Sequence, residues 1–133
     1  MNTIPIGFKL ESGTDPAEDM IGPFYLERTD DDIRAGMLVE ARHCNGMQSV
    51  HGGVLMTFAD FALCAQARFQ TEDKHIVTVS LSTEFVDGAP VGSWLESAGT
   101  VIRRTGRLVF VQGVIQHNNT PVLTYSGIGK RVR

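Results

Sequence analysis

GGVLMTFADFALCAQA, running from Gly52 to Ala67, is a helix-length stretch that is apolar on every side except at Asp60 and a few smaller polar groups. A helix hydrophobic all round belongs inside a core rather than on a surface. An ionised carboxylate is costly there unless it is paired, hydrogen-bonded or raised in pKa. Asp60 is therefore either bonded to a neighbouring backbone group or set where the helix reaches a crevice. The residues just ahead favour the crevice. His51-Gly52-Gly53 is a glycine turn leading into a helix N-terminus, where free N–H groups and the positive end of the helix dipole favour developing negative charge.

Outward from this helix, which is predicted to end near Phe69, Met37 to Cys44 reads as a first strand. Asn45 to Val50 is the loop that feeds the glycine turn. From His75 to Val86, Val77, Val79 and Leu81 alternate with Thr78, Ser80 and Ser82, the period-2 pattern of a half-buried strand. Asp87 to Gly92 is a turn cluster. Ser93 to Arg103, Leu108 to His117 and Pro121 to about Gly129 are three more strands, joined at Thr105-Gly106 and Asn118-Asn119 by short hairpin connections. Residues 1–35 carry Pro5, Pro16, Pro23 and the run Asp30-Asp31-Asp32. They read as a cover segment of irregular structure with a short helix start at Asp15-Pro16-Ala17-Glu18. One long helix and several hairpin-joined strands exclude a βαβ parallel fold. The expectation is an α+β domain in which an antiparallel sheet curls around the helix, with a second subunit covering what remains exposed.

Composition sets the outer limits. With 133 residues and 42% hydrophobic content, the chain fits one domain, residues 1–133, with a substantial core. Twelve basic against 15 acidic residues give a formal charge of −3, unlike the basic balance of a general nucleic-acid binder. Met1 opens a polar, mixed stretch, and no apolar run reaches the roughly 18 residues that span a bilayer. A cytoplasmic protein without membrane or nucleic-acid partners is expected. Cys44 and Cys64 lack metal-ligand spacing and read as reduced thiols. His43, His75 and His117 show no ligand spacing either, so neither a metal nor another cofactor is called for.

The residues that carry chemistry divide into two groups. Gly52 and Gly53 offer N–H donors that a carbonyl can approach closely, an oxyanion-type site. Asp60 lies eight residues beyond Gly52, roughly 12 Å along one helix axis. The two cannot flank one carbonyl carbon. A shared site requires the donor of one subunit to face the carboxylate of another, with the helices antiparallel across a two-fold axis. Asn45 can hold a water or polarise a carbonyl, though Asn-Gly is equally a turn signature. His51 is a candidate base, but its place ahead of the turn suits a histidine that pins the loop. Thr78 is placed to bond Asp60 or its water. Cys64, one turn beyond Asp60, is a candidate lining residue for the same crevice, though plain packing is the expectation for it. Arg103, Arg104 and Arg107 around one hairpin, with Lys130, Arg131 and Arg133 near the end of the chain, are candidates for holding a phosphorylated ligand.

The segment Asn45 to Asp60, NGMQSVHGGVLMTFAD, resembles the signature of hotdog-fold acyl-CoA thioesterases of the PaaI/4-hydroxybenzoyl-CoA thioesterase type. The likeness extends roughly from Gly36 to Gly129. Its elements are an Asn or Gln six residues before a His, the His-Gly-Gly turn, and an acidic residue nine beyond the His. The resemblance implies hydrolysis of an acyl-CoA to a free acid and CoA in a homodimer or dimer of dimers whose site spans two subunits. It implies Asp60 as nucleophile or general base, the Gly52 N–H as oxyanion donor, Asn45 as the residue placing water or carbonyl, and Thr78 as the hydroxyl assisting the carboxylate. Some members use a Thr one turn after the acid, where this sequence has Cys64. Arg104 and Arg107 are the candidates for the CoA phosphates. A non-catalytic acyl-CoA binding or sensing module is the alternative, and the spacing of His51 and Asp60 on a Gly-Gly turn disfavours a hydratase or dehydratase.

Overall fold

In the computed structural model, which describes residues 4–132, nine regular elements follow one another among the described residues. They are β1 (Lys9–Glu11), α1 (Pro16–Ile21), β2 (Phe24–Arg28), β3 (Ile33–Leu38), α2 (Gly52–Arg68), β4 (His75–Phe85), β5 (Trp94–Arg104), β6 (Leu108–His117) and β7 (Thr120–Val132). A short 3-10 turn, Ala41–His43, lies between β3 and α2. Met1 and Arg133 lie outside the described residues. The strands form one sheet in the order β1-β2-β3-β5-β6-β7-β4. Every neighbouring pair is antiparallel. The long helix α2 packs on β3 to β7, so the sheet wraps the helix as its all-round apolar character demands.

Alternation fixes which strand faces meet the helix. Phe24 and Leu26 of β2, Met37 of β3, Leu95 of β5, Val109 and Val111 of β6, and Leu123 and Tyr125 of β7 are buried. They close around Leu55, Phe58, Ala59, Ala62 and Leu63 of α2. Phe24 sits 5.3 Å from Phe58 and 5.0 Å from Phe61, ring centre to ring centre. These aromatics are core, as is usual for helix aromatics. Where β7 crosses beneath the helix only a glycine fits. A Cβ on Gly127 would lie 2.4 Å from Leu63 Cδ1 and 2.5 Å from the Ser80 carbonyl oxygen. Gly127→Ala is therefore expected to cost about 1–3 kcal/mol, the range for overpacking a core. Urea unfolding checks it, and an unchanged midpoint would show that strand and helix separate freely.

The structure corrects the sequence reading at two places. Residues 1–35 are not an irregular cover: among those described, they supply β1, α1, β2 and the start of β3. The first strand expected at 37–44 instead begins at Ile33 and ends at Leu38. Their prolines mislead, because Pro16 occupies the first turn of α1 behind the N-cap Asp15 and Pro23 immediately precedes a strand. Both placements are compatible with regular structure. The second correction concerns β4. A bulge between Thr78 and Ser80 shifts the alternation, so Ile76 and Leu81 pack on the core. Val77 and Val79, expected on the same face as Leu81, are 53% and 57% exposed. An extra residue in one strand reverses which side chains face inward beyond it.

Candidate active site

Most of α2 is buried by the sheet, but Gly53, Met56, Thr57, Asp60, Cys64 and Arg68 remain at least partly open. Spacings of three and four residues place them along one strip of the helix. Asp60 sits in the middle of that strip. The bulge in β4 turns Thr78 towards it, and the Thr78 hydroxyl donates a short hydrogen bond to Asp60 Oδ1. Cys64 Sγ lies 3.5 Å from Thr78 Oγ1. Because the threonine proton goes to Asp60, the thiol is the donor in that contact. Burial, reinforced by the nearby carboxylate of Asp60, pushes the Cys64 thiol up to about 11. It stays protonated at neutral pH and orients Thr78 instead of acting as a nucleophile. Asp60 is thus held as an acceptor through one oxygen, and among the described residues its other carboxylate oxygen has no hydrogen-bond donor, as a base or nucleophile requires.

The second group of residues lies at the other end of the strip. His51 is the N-cap of α2, with φ −66° and ψ 138°, and its Nδ1 accepts the Gly53 N–H at 2.8 Å. Such a cap satisfies one of the free donors at the helix start. The Gly52 N–H has no acceptor among the described residues, and the Phe85 ring lies on the side of the glycine where a Cβ would stand, 3.1 Å from that position. Asn45 Oδ1 accepts from Met47 N at 2.9 Å and from Ser49 N at 3.3 Å. This Asx-type turn ties down the loop, and Asn45 itself is exposed. Asp60, Thr78 and Cys64 therefore form one constellation, and His51, Gly52, Gly53 and Asn45 another. An unbroken helix holds the two roughly 12 Å apart within one chain.

Asp60 opens into a cavity of about 670 Å³ roofed by α1 and also lined by Glu18, Phe61, Arg68, Lys74 and His75. Sequence reasoning missed Glu18, Arg68, Lys74 and His75. The packing of α1 on α2 brings in Glu18, and the passage from the end of α2 into β4 brings in Arg68, Lys74 and His75. Glu18 is half-buried, and burial, with Asp15 and Asp60 as like-charged neighbours, raises its carboxyl from 4.5 to about 7. The folded chain holds this proton more tightly than the unfolded one. Its stabilising contribution is complete below about 4.5 and is lost as the pH rises through about 7. Glu18→Gln is expected to melt higher than the native chain at about pH 8 and equally at about pH 4, read by calorimetry at both pH values. A gap of the same size at both would refute the linkage.

The basic candidates lie elsewhere. Arg104 donates to the carbonyls of Ala67 at 2.6 Å and Phe69 at 3.4 Å, closing the C-terminus of α2. Arg107 is exposed on the hairpin. Neither lines the Asp60 cavity. Arg131 is paired with Asp73 at 2.8 Å. His43 is buried, taking the Glu40 N–H on Nδ1 and donating from Nε2 to the carbonyls of Ile21 and Gly22. It pins the end of α1. Among the described residues no three His, Cys, Asp or Glu side chains are grouped to hold a metal ion.

A seven-stranded antiparallel sheet curled around one long helix is the hotdog fold. Over residues 47–123 the sequence matches the family model of the thioesterase superfamily, to which the chain belongs. It is 30% identical over 130 residues to a Pseudomonas aeruginosa protein that carries the name of an esterase, covering 96% of this chain and 97% of the relative. The Escherichia coli PaaI protein of the phenylacetic acid degradation operon superimposes with a TM-score of 0.79 at 20% identity, over 90% of this chain and 86% of that one. A Bacillus halodurans protein solved with CoA superimposes with a TM-score of 0.73 at 20% identity, over 81% and 73%.

Proposed function

We propose that this protein is an acyl-CoA thioesterase whose reaction centre is shared between two copies of the chain. The observation that carries the reading is Asp60, held by the Thr78 hydroxyl at the edge of an open cavity on the central helix of a thioesterase-superfamily domain. Asp60 either activates a water or attacks the acyl carbon, and in both routes negative charge develops on the thioester oxygen. The partner's Gly52 N–H, at the positive end of its own helix, is the donor for that charge. Asn45 places the water or the carbonyl, and His51 and Gly53 hold the turn in shape. Arg104 and Arg107 remain the proposed anchors for CoA phosphates.

The geometry of β4 supports a dimer. At eleven residues it is a long strand, and it sits at the end of the sheet, paired on one side only. Phe85, 55% exposed, and Val86, also 55%, continue the apolar exposure of Val77 and Val79. A long apolar edge of this kind invites pairing with a second copy. The free thiols of Cys44 and Cys64 fit a cytoplasmic setting, and among the described residues no helix is long and apolar enough to cross a membrane. The test is thiol release from short, long and aromatic acyl-CoAs, followed with a chromogenic disulfide, beside light scattering for the assembly. Steady release by a dimer or larger assembly supports the reading. Binding without release would make the protein a sensor, and an active single copy would overturn the shared site.

A further inference from the structure

Helix α1 is held firmly over Asp60. Asp15 caps its start by accepting the Glu18 N–H at 3.0 Å. At its other end Arg42 donates to the carbonyls of Met20 and Gly22, while His43 donates to Ile21 and Gly22. Glu18 therefore reaches the cavity from a fixed element, as precise recognition requires. It faces Asp60 across that cavity, and the two carboxyl groups interact electrostatically. Glu11, Asp15 and Asp19 line the same space, and Arg68 and Lys74 are the basic side chains set against these acids, with His75 beside them. Asp19 is engaged by the Gly13 N–H at 2.9 Å, and Arg68 is a minor influence on Glu18 compared with burial, Asp15 and Asp60. CoA carries its anionic phosphates, so the acidic side of Asp60 suits the acyl end of the substrate.

We propose that Glu18 sets the charge preference of the acyl site, admitting neutral and hydroxylated acyl groups and turning away those that bear a second carboxylate. The inference rests on the thioesterase reading and deepens it. A second carboxylate on the acyl chain would enter a space already holding Asp60 and Glu18, and repulsion against a wrong ligand is how a site discriminates. An acyl hydroxyl instead finds a carboxyl oxygen to donate to. Glu18 gains its full charge only above its raised pKa of about 7, so the discrimination grows as the pH rises through that value.

The experiment compares kcat/KM of the native protein for hexanoyl-CoA, ω-hydroxyhexanoyl-CoA and adipoyl-CoA, which have acyl chains of equal carbon number. At about pH 8 adipoyl-CoA is expected to be worse than either of the others by about 10-fold or more, the scale of a like-charge contact in a partly solvated site. At about pH 6, where Glu18 is largely protonated and adipoyl-CoA is still ionised, the gap narrows several-fold. Glu18→Gln narrows it at about pH 8 as well. Equal turnover of all three by the native protein, a preference for adipoyl-CoA, or a gap unchanged in Glu18→Gln overturns the inference alone. No thiol from any of these three while a long or aromatic acyl-CoA is cleaved also overturns the inference alone. No thiol from any acyl-CoA overturns the thioesterase reading and this inference with it.

Discussion

Asp60→Asn is expected to lower kcat on the best acyl-CoA substrate by on the order of 10²-fold or more, with little change in KM, as befits removal of a positioned base. The substitution keeps the shape of the side chain, and the amide oxygen still accepts the Thr78 hydroxyl that now bonds Asp60 Oδ1. What it removes is the charge and basicity that activate water, or the oxygen nucleophile itself. Asp60 is only partly buried on the open strip of α2, so the variant should fold and melt close to the native protein. The measurement is thiol release at saturating substrate, with circular dichroism and light scattering to show that fold and assembly persist. A folded variant that releases thiol at the native rate would remove Asp60 from the chemistry and leave the Thr78 contact a packing detail.

What could be read from the sequence was what a single segment encodes. The all-round apolar run fixed α2 to within a residue at its C-terminus, and four later strands were visible because turn residues bracket them. The spacing of Gly52 and Asp60 already implied that their separation on one helix is too great for one carbonyl. What stayed hidden depends on contacts between distant segments. The β4 bulge has no signature in HIVTVSLSTEF, whose regular alternation points the valines inward when they face out. Yet the bulge lets Thr78 and Leu81, three residues apart, both turn towards the helix. The N-terminal segment looked irregular because prolines and aspartates dominate it. Its order comes from Arg42 and His43 gripping the end of α1 from some twenty residues away. Glu18 was unreadable for the same reason: no local pattern says that a six-residue helix will dock over Asp60.

The sharpest test of the shared site is Gly52→Pro, expected to leave fold and assembly intact while kcat falls by about 10²- to 10³-fold, the scale for losing one oxyanion donor. A main-chain N–H is rarely removable by mutation, but Gly52 is the first residue of α2, the position where proline is best tolerated. His51 before it has φ −66° and ψ 138°, the extended conformation that a residue preceding proline prefers. A Cβ at Gly52 would meet Phe85 at 3.1 Å, a side chain that gives by a few tenths of an ångström more readily than backbone would. Paired with Asp60→Asn, this variant reads the architecture directly. In a mixed dimer the proline-bearing copy supplies an intact Asp60, and its mate supplies an intact Gly52. One of the two sites is then whole, and random mixing makes half the dimers mixed, so about a quarter of native activity returns from two inactive proteins. Recovery of that size from co-expressed variants requires donor and acid to come from different copies. If mixed dimers form and remain as inactive as their parents, the acid and its oxyanion donor must belong to the same chain, and the helix separation that motivates the shared site would have to be bridged another way.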